Sequence, residues 1–234
     1  VPKPKSFSAC YIHAYRFLEG GRKLQYIHTT PVEDIPYSFC NYKGRLLAGI
    51  GTTLRMYQFG KKKLLKKCEM KFFHAGINNI NVMGERIYIT DLADSFHVLR
   101  HKNKENQFFE FADDVLPRWI TACCLLDYQT LAGADKFENF FVCRLPQNVE
   151  EDIEEDPMTY KFKWETGYLN GAAYKMDQIC NYYYGEVITC MQKASLSNST
   201  TNQVIVFGTS MGSIGAFLPF ETKEDVDFFT HLEM

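Results

Sequence analysis

Gly208-Thr209-Ser210-Met211-Gly212 spells G-x-S-x-G, the pattern that lifts a serine nucleophile on a sharp strand-to-helix turn. Asp225, Asp227 and His231 follow in the acid-then-base order of a hydrolase. The elbow needs a helix after its serine. The next residues, "SIGAFLPF", carry β-branched and aromatic side chains, a glycine and a proline, which make a poor helix. Ser210 is therefore expected in a hairpin turn, with Gly208 and Gly212 supplying unusual backbone angles. The two acids and His231 share one terminal segment, whereas a triad assembles from separate parts of the chain around the nucleophile. A serine hydrolase is thus the reading to exclude, and its mark would be turnover lost on Ser210→Ala.

The remaining reactive residue types give no second constellation. His97 and His101 form H-x-x-x-H, but in a strand and its turn they do not share a helical face, and each reads as a core or solvent-facing histidine rather than a ligand. The turns "GIGTT" and "GSIG" lack the helix amino end that cradles phosphate. Asp91, Asp94 and Asp135 fall at turns, where aspartate favours the local geometry. The eight cysteines include no C-x-x-C pair, so they read as reduced, buried thiols of an intracellular protein rather than zinc ligands or a disulfide frame. Asn198-Ser199-Thr200 is a sequon that reads as a polar loop. No catalytic, cofactor or metal site is expected, and no small-molecule substrate.

Two charge clusters remain as partner-contact candidates. Lys61, Lys62 and Lys63 open "GKKKLLKKCEMK", which also holds Lys66, Lys67 and Lys71. Such a cluster suits RNA phosphates or a signal receptor, or simply guards an outer strand from edge pairing. Glu150, Glu151, Asp152, Glu154, Glu155 and Asp156 form an acidic run that cannot lie in a buried strand and is expected as a solvated loop.

The elements that carry these residues repeat. "YIHAYRF", "LRMYQF", "FHVLRH", "FFVCRL" and "IGAFLPF", anchored at Ile12, Leu54, Phe96, Phe140 and Ile214, are spaced by 42, 42, 44 and 74 residues. Most follow a shorter strand and a tight turn. A period of roughly 40–50 residues with four strands per unit predicts an all-β fold, a β-propeller whose blades bury their faces only against one another. The sequence supplies about four and a half blades by this count. The first unit contributes only two outer strands, at 7–32, and 37–220 an arc of about four sheets, so the rest of the ring is expected from a longer parent chain. The final spacing is long because 146–170 is inserted. Residues 1–221 are thus read as a partial propeller. Residues 222–234 are read as a helix, capped by Thr222, with Glu224 and Asp225 in the first turn and Val226, Phe229 and Leu232 as an apolar stripe.

Composition fits this picture. Apolar residues are 46% and charged residues 23%, with a net charge of −2, so no global field recruits nucleic acid or an anionic membrane. No apolar run approaches membrane-spanning length, and the amino end carries no secretory signal pattern.

One stretch goes further than periodicity. "ENQFFEFADDVLPRWITACCLLDYQTLAGADKFENFFVCRLP" resembles the third propeller of the splicing factor 3b subunit 3 family, supported by "KLQYIHTTPVEDIP", "LNGAAYK", "NYYYGEVI" and "EDVDFFTHLEM". The wider group includes the damaged-DNA-binding adaptor of cullin ubiquitin ligases and the large cleavage and polyadenylation specificity factor subunit. Glu138 stands where the family tends to have glycine, so that turn is expected to be built differently. The resemblance implies a non-enzymatic nuclear scaffold in the U2 small nuclear ribonucleoprotein. Its partners would be the protein subunits of splicing factor 3b, notably the helical-repeat subunit, with pre-mRNA and U2 RNA engaged only indirectly and no membrane. The chain would be most of the third propeller and the start of the helical carboxyl-terminal part. The alternative within the group is a cullin-ligase adaptor. Trp119, after Pro117 and Arg118 at a blade junction, is expected in the core, packing one blade on the next.

Overall fold

The computed structural model describes residues 8–71, 73–147, 149, 172, 174–195, 203–220 and 222–233. Seventeen strands and one helix account for most of them. Strands β1 (Cys10–Leu18) and β2 (Lys23–Val32) form a hairpin around a 3-10 turn at Glu19–Gly21. Blade one is β3 (Pro36–Tyr42), β4 (Arg45–Ile50), β5 (Thr53–Gln58) and β6 (Leu65–Lys71). Blade two is β7 (Ile77–Met83), β8 (Arg86–Asp91), β9 (Phe96–Lys102) and β10 (Gln107–Asp114). Blade three is β11 (Ile120–Leu125), β12 (Thr130–Asp135), β13 (Asn139–Arg144) and β14 (Tyr174–Tyr183). Blade four has β15 (Ile188–Ser195), β16 (Gln203–Thr209) and β17 (Ile214–Phe217). The helix α1 (Lys223–Glu233) follows.

Each blade is an antiparallel meander, and the blades repeat down to their irregularities. The innermost strand carries one extra residue at the same place in all four: Tyr37, Asn78, Thr121 and Thr189. The outermost strand carries another, at Lys67, Phe111 and Ile179, each opposite the second residue after the anchors Leu54, Phe96 and Phe140. A bulge increases local twist, so a bulge at a fixed place in each sheet gives each blade the same propeller pitch. In the β1–β2 hairpin the extra residue is Ile27, again opposite the second residue after the anchor, here Ala14 after Ile12. The hairpin is therefore the third and fourth strands of a blade, as the sequence repeat predicts.

Blades adhere through inter-sheet cores. Leu47, Leu54, Met56, Ile80, Ile87 and Leu99 join blades one and two. Phe96, Phe111, Leu131 and Phe141 join two and three, with the Phe96 and Phe141 rings 5.6 Å apart. Gly133 lies in that junction, and a Cβ there would come within 2.6 Å of Phe141 and 2.8 Å of Phe96. Ala134, Phe140, Ile188 and Phe207 join three and four, and Ile12 and Val32 pack the hairpin on blade one. Polar links between inner strands run alongside: Ser38 Oγ donates to Ile77 O, Asn78 Nδ2 to Ile120 O, and Thr121 Oγ1 to Ile188 O. One backbone link is unusual. The end of β10 pairs in parallel with the start of β14, Ala112–Asp114 against Tyr174–Met176, so blades two and three form a continuous eight-stranded sheet.

The terminal helix forms as its sequence dictates. Thr222 Oγ1 accepts the Asp225 N–H at 3.1 Å, and Glu224 and Asp225 sit in the first turn. Its stripe of Val226, Phe229 and Leu232 is exposed, with Phe229 stacked on Phe220 at 4.8 Å. No helix among the described residues is long and apolar enough to cross a membrane.

Candidate interaction surfaces and a buried polar cluster

The G-x-S-x-G segment is a hairpin. β16 ends at Thr209 and β17 starts at Ile214; Thr209 N–H bonds Ser213 O, and Thr209 Oγ1 accepts the Ser213 N–H. Gly212 supplies the left-handed backbone, φ +92°. Gly208 does not: it lies inside β16 without positive φ, and a side chain there would press on Cys190 Sγ at 3.1 Å. Ser210 is exposed, with its N–H bonded to Val187 O. His231 Nδ1 lies 2.6 Å from the Asp227 carbonyl of its own helix, so serine, acid and histidine are not assembled.

The family-specific block 110–119 builds the junction between blades two and three. Asp113 accepts Lys175 Nζ, and Asp114 accepts both Ser95 Oγ, at 2.6 Å, and Arg118 Nη1. Arg118 Nη2 reaches Gln178 Oε1, and the guanidinium lies over the Phe141 ring at 3.9 Å. Lys175 and Gln178 belong to β14, so these acids and Arg118 fasten the parallel crossing. Burial pushes the Asp113 carboxyl up to about 6, although Lys175 opposes it. The buried residue of the pair Arg118-Trp119 is Arg118, at 9% exposure. Trp119 is half-buried and outside the hydrophobic clusters, its ring covered by Lys136 Nζ at 3.8 Å. By size and apolarity the sequence favours Trp119 for the core. Phe141 and Asp114 instead offer Arg118 a stacking face and a buried counter-charge, which tryptophan cannot use.

A second polar cluster sits behind this junction. His97 is 1% exposed. Its Nδ1 lies 2.6 Å from Glu110 Oε1 and its Nε2 3.5 Å from Asp91 Oδ2. Asp91 Oδ1 accepts the Ala93 and Asp94 N–H groups, so Asp91 closes the β8–β9 turn. Asp135 does the same for β12–β13 through the Phe137 and Asn139 N–H groups. These are the turn roles expected of both aspartates. Asp94 Oδ2 is 2.7 Å from His74 Nδ1. Burial alone would lower the His97 pKa, but the two carboxylates outweigh it and hold it at about 10; His97 and the Ala93 and Asp94 amides in turn depress Asp91 despite its burial. The sequence alone carries only a faint trace of this cluster. The available signal was the even spacing of Asp91, Asp94 and His97, which a hairpin folds into one place.

The charged partner-contact candidates lie apart from both clusters. Lys61, Lys62 and Lys63 occupy the turn before β6 and are exposed, and among the described residues no carboxylate lies within 4.0 Å of them. Lys66 and Lys71 on β6 lie 3.0 and 3.9 Å from Glu69. The acidic run Glu150, Glu151, Asp152, Glu154, Glu155 and Asp156 lies outside the described residues. The thiols divide: Cys123, Cys124 and Cys143 are buried, whereas Cys180 and Cys190 are exposed, so uniform burial does not hold. Burial pushes the Cys123 and Cys143 thiols up to about 12.

Large apolar surface is exposed at the two outer units. Tyr11, Tyr15, Phe17 and Tyr26 are each at least half exposed on the β1–β2 hairpin. Met211, Ile214, Leu218 and Phe220 are exposed around blade four, beside an open cavity of about 730 Å³ lined by Leu126, Phe140, Val142, Ile179 and Phe217. Apolar patches of this kind mark surfaces that meet other protein.

Fold and surfaces define the class: a β-propeller segment whose polar clusters knit blades together and whose apolar outer units face outward. The chain belongs to the CPSF A subunit family, whose model matches residues 2–234 under the description "CPSF A subunit region". It is 50% identical to spliceosome-associated protein 130 A of Arabidopsis thaliana over 98% of its length. It is 46% identical to splicing factor 3B subunit 3 of Danio rerio, and 45% to the probable splicing factor 3B subunit 3 of Dictyostelium discoideum, each over its whole length. The chain spans 19% of each of these relatives.

Proposed function

We propose that this chain is part of a non-enzymatic scaffold subunit of splicing factor 3b, acting in the nucleus within the U2 small nuclear ribonucleoprotein and supporting branch-site recognition in pre-mRNA. The observation that carries the reading is identity of 45–50% across essentially the whole chain to relatives named as splicing factor 3B subunit 3 or spliceosome-associated protein 130. The geometry fits it, because the buried charges described above serve blade junctions and turns. Residues 1–221 are read as part of the parent's third propeller and 222–234 as the start of its helical part. The helical-repeat subunit is the expected principal partner, with RNA engaged indirectly.

The test is affinity purification of the full-length protein from nuclear extract, followed by mass spectrometry. Recovery of splicing factor 3b subunits is expected; recovery of a cullin without them would overturn the reading. Lys61, Lys62, Lys63 and the run Glu150–Asp156 are assigned to electrostatic steering of partners, which raises association rate more than affinity. Deleting Glu150–Asp156, or replacing the three lysines by serine, should leave the melting temperature unchanged. Either change should also flatten the salt dependence of association with purified splicing factor 3b subunits. An unchanged rate at both low and high salt would remove the assignment.

A further inference from the structure

We infer that Asp91, Asp94 and His97 form a binding site for a divalent transition-metal cation, with zinc(II) the best match. One ligand atom from each residue falls within 4.8 Å of the others. His97 Nε2 and Asp91 Oδ2 are both buried, face one another at 3.5 Å, and have no hydrogen-bond partner. That separation is the edge of a coordination tetrahedron: ligands at roughly 2.0–2.2 Å from zinc stand about 3.3–3.6 Å apart. As a hydrogen bond it is long and poorly aligned. A proton on Nε2 bridges this pair only at long range, whereas a cation between the two atoms would satisfy both at bonding distance.

The surroundings are those of a metal ligand set. His97 gives its other ring nitrogen to Glu110 at 2.6 Å, the arrangement that fixes the tautomer of a metal-bound imidazole and raises its basicity. Asp91 Oδ1 is held by two turn amides, which aims Oδ2 inward. Asp94 is steadied by His74 and keeps its carboxylate partly exposed, so it supplies both the third oxygen and the route in from solvent. Charge favours a dication: Asp113 and Asp114 are taken up by Lys175 and Arg118, leaving three carboxylates, Asp91, Asp94 and Glu110, around His97. Imidazole with two carboxylates suits zinc and its neighbours rather than calcium or magnesium. The fourth position would be water, and the ion would staple the β8–β9 turn, where Ser95 holds φ +75°.

The test uses the full-length protein, stripped by dialysis against a chelator. Zinc(II) is titrated in competition with a chromophoric chelator, and cobalt(II) is followed by its ligand-field absorption. One equivalent more is expected for the wild type than for Asp94→Asn, together with a tetrahedral cobalt spectrum that this variant lacks. Asp94→Asn keeps the turn amide that Asp91 accepts, so the variant should remain folded. Glu110→Gln should weaken zinc binding by about tenfold or more through the orientation of His97. Zinc should raise the melting temperature of the wild type and leave Asp94→Asn unmoved. Equal stoichiometry and affinity in wild type and Asp94→Asn, or no uptake by the wild type, would overturn the site and leave His97 as an imidazolium clasped by two carboxylates.

Discussion

Glu138 adopts φ +69°, a left-handed conformation that L-residues with a Cβ resist. Glycine would take this backbone angle without strain, and the turn is built with help. Asp135 Oδ1 gathers the amides on either side, Tyr184 N–H bonds Glu138 O, and Tyr183 O–H donates to the Glu138 carboxylate at 2.7 Å. The equivalent turn of blade four uses Gly212, with no atom near enough to obstruct a side chain. Gly212 therefore tests backbone strain alone, whereas Glu138→Gly relieves strain and gives up the exposed Tyr183 hydrogen bond. Gly212→Ala should lose about 1 kcal/mol, and Glu138→Gly should gain a few tenths to about 0.5 kcal/mol net of the entropy a glycine adds to the unfolded chain. Chemical denaturation of each variant reads both values. A neutral Gly212→Ala would mean that the left-handed turn is not held in solution.

At the scale of elements, the repeat was legible because it is forced by packing. Each run that follows the anchors Ile12, Leu54, Phe96, Phe140 and Ile214 became the third strand of a unit, and the bulge two residues later recurs wherever a fourth strand is described. Periodicity reveals such strands because each blade covers both faces of its third strand, so a similar buried run recurs in every unit. What it does not reveal is polar chemistry between elements. Arg118 reaches Asp114, Gln178 and the Phe141 ring across 60 residues of chain, and no local pattern announces that. Trp119 was the natural choice by size, yet it lies half-buried under Lys136. Truncating Arg118 to alanine strands Asp114 in a buried site and should cost roughly 3–5 kcal/mol. Trp119→Ala gives up only part of the loss of a fully buried aromatic, about 1–2 kcal/mol. Melting curves of the two variants rank them, and the reverse order would place the junction's strength in Trp119.

At the scale of the whole molecule, the units at the two ends of the series behave differently from those between. Thr121 Oγ1 lies within bonding distance of Ala134 O in its own blade and Ile188 O in the next, at 3.1 and 2.6 Å. Its counterpart Thr189 keeps the own-blade bond to Gly208 O at 3.2 Å and, among the described residues, has no second. β11 buries most of its residues whereas β15 fully buries only Ile188. The exposed aromatics of β1–β2 make the same point at the other end. A propeller blade is stable because both faces are covered, so these strands are expected to be sealed by further blades of the full-length protein. Hydrogen–deuterium exchange on that full-length protein distinguishes the cases. Sealed faces should give β15–β17 and β1–β2 amide protection within about an order of magnitude of β7–β13, because subglobal opening would then break the ring. Rapid exchange confined to those five strands would show that their faces stay open in the complete protein, and the exposed aromatics would then be surface for a separate partner.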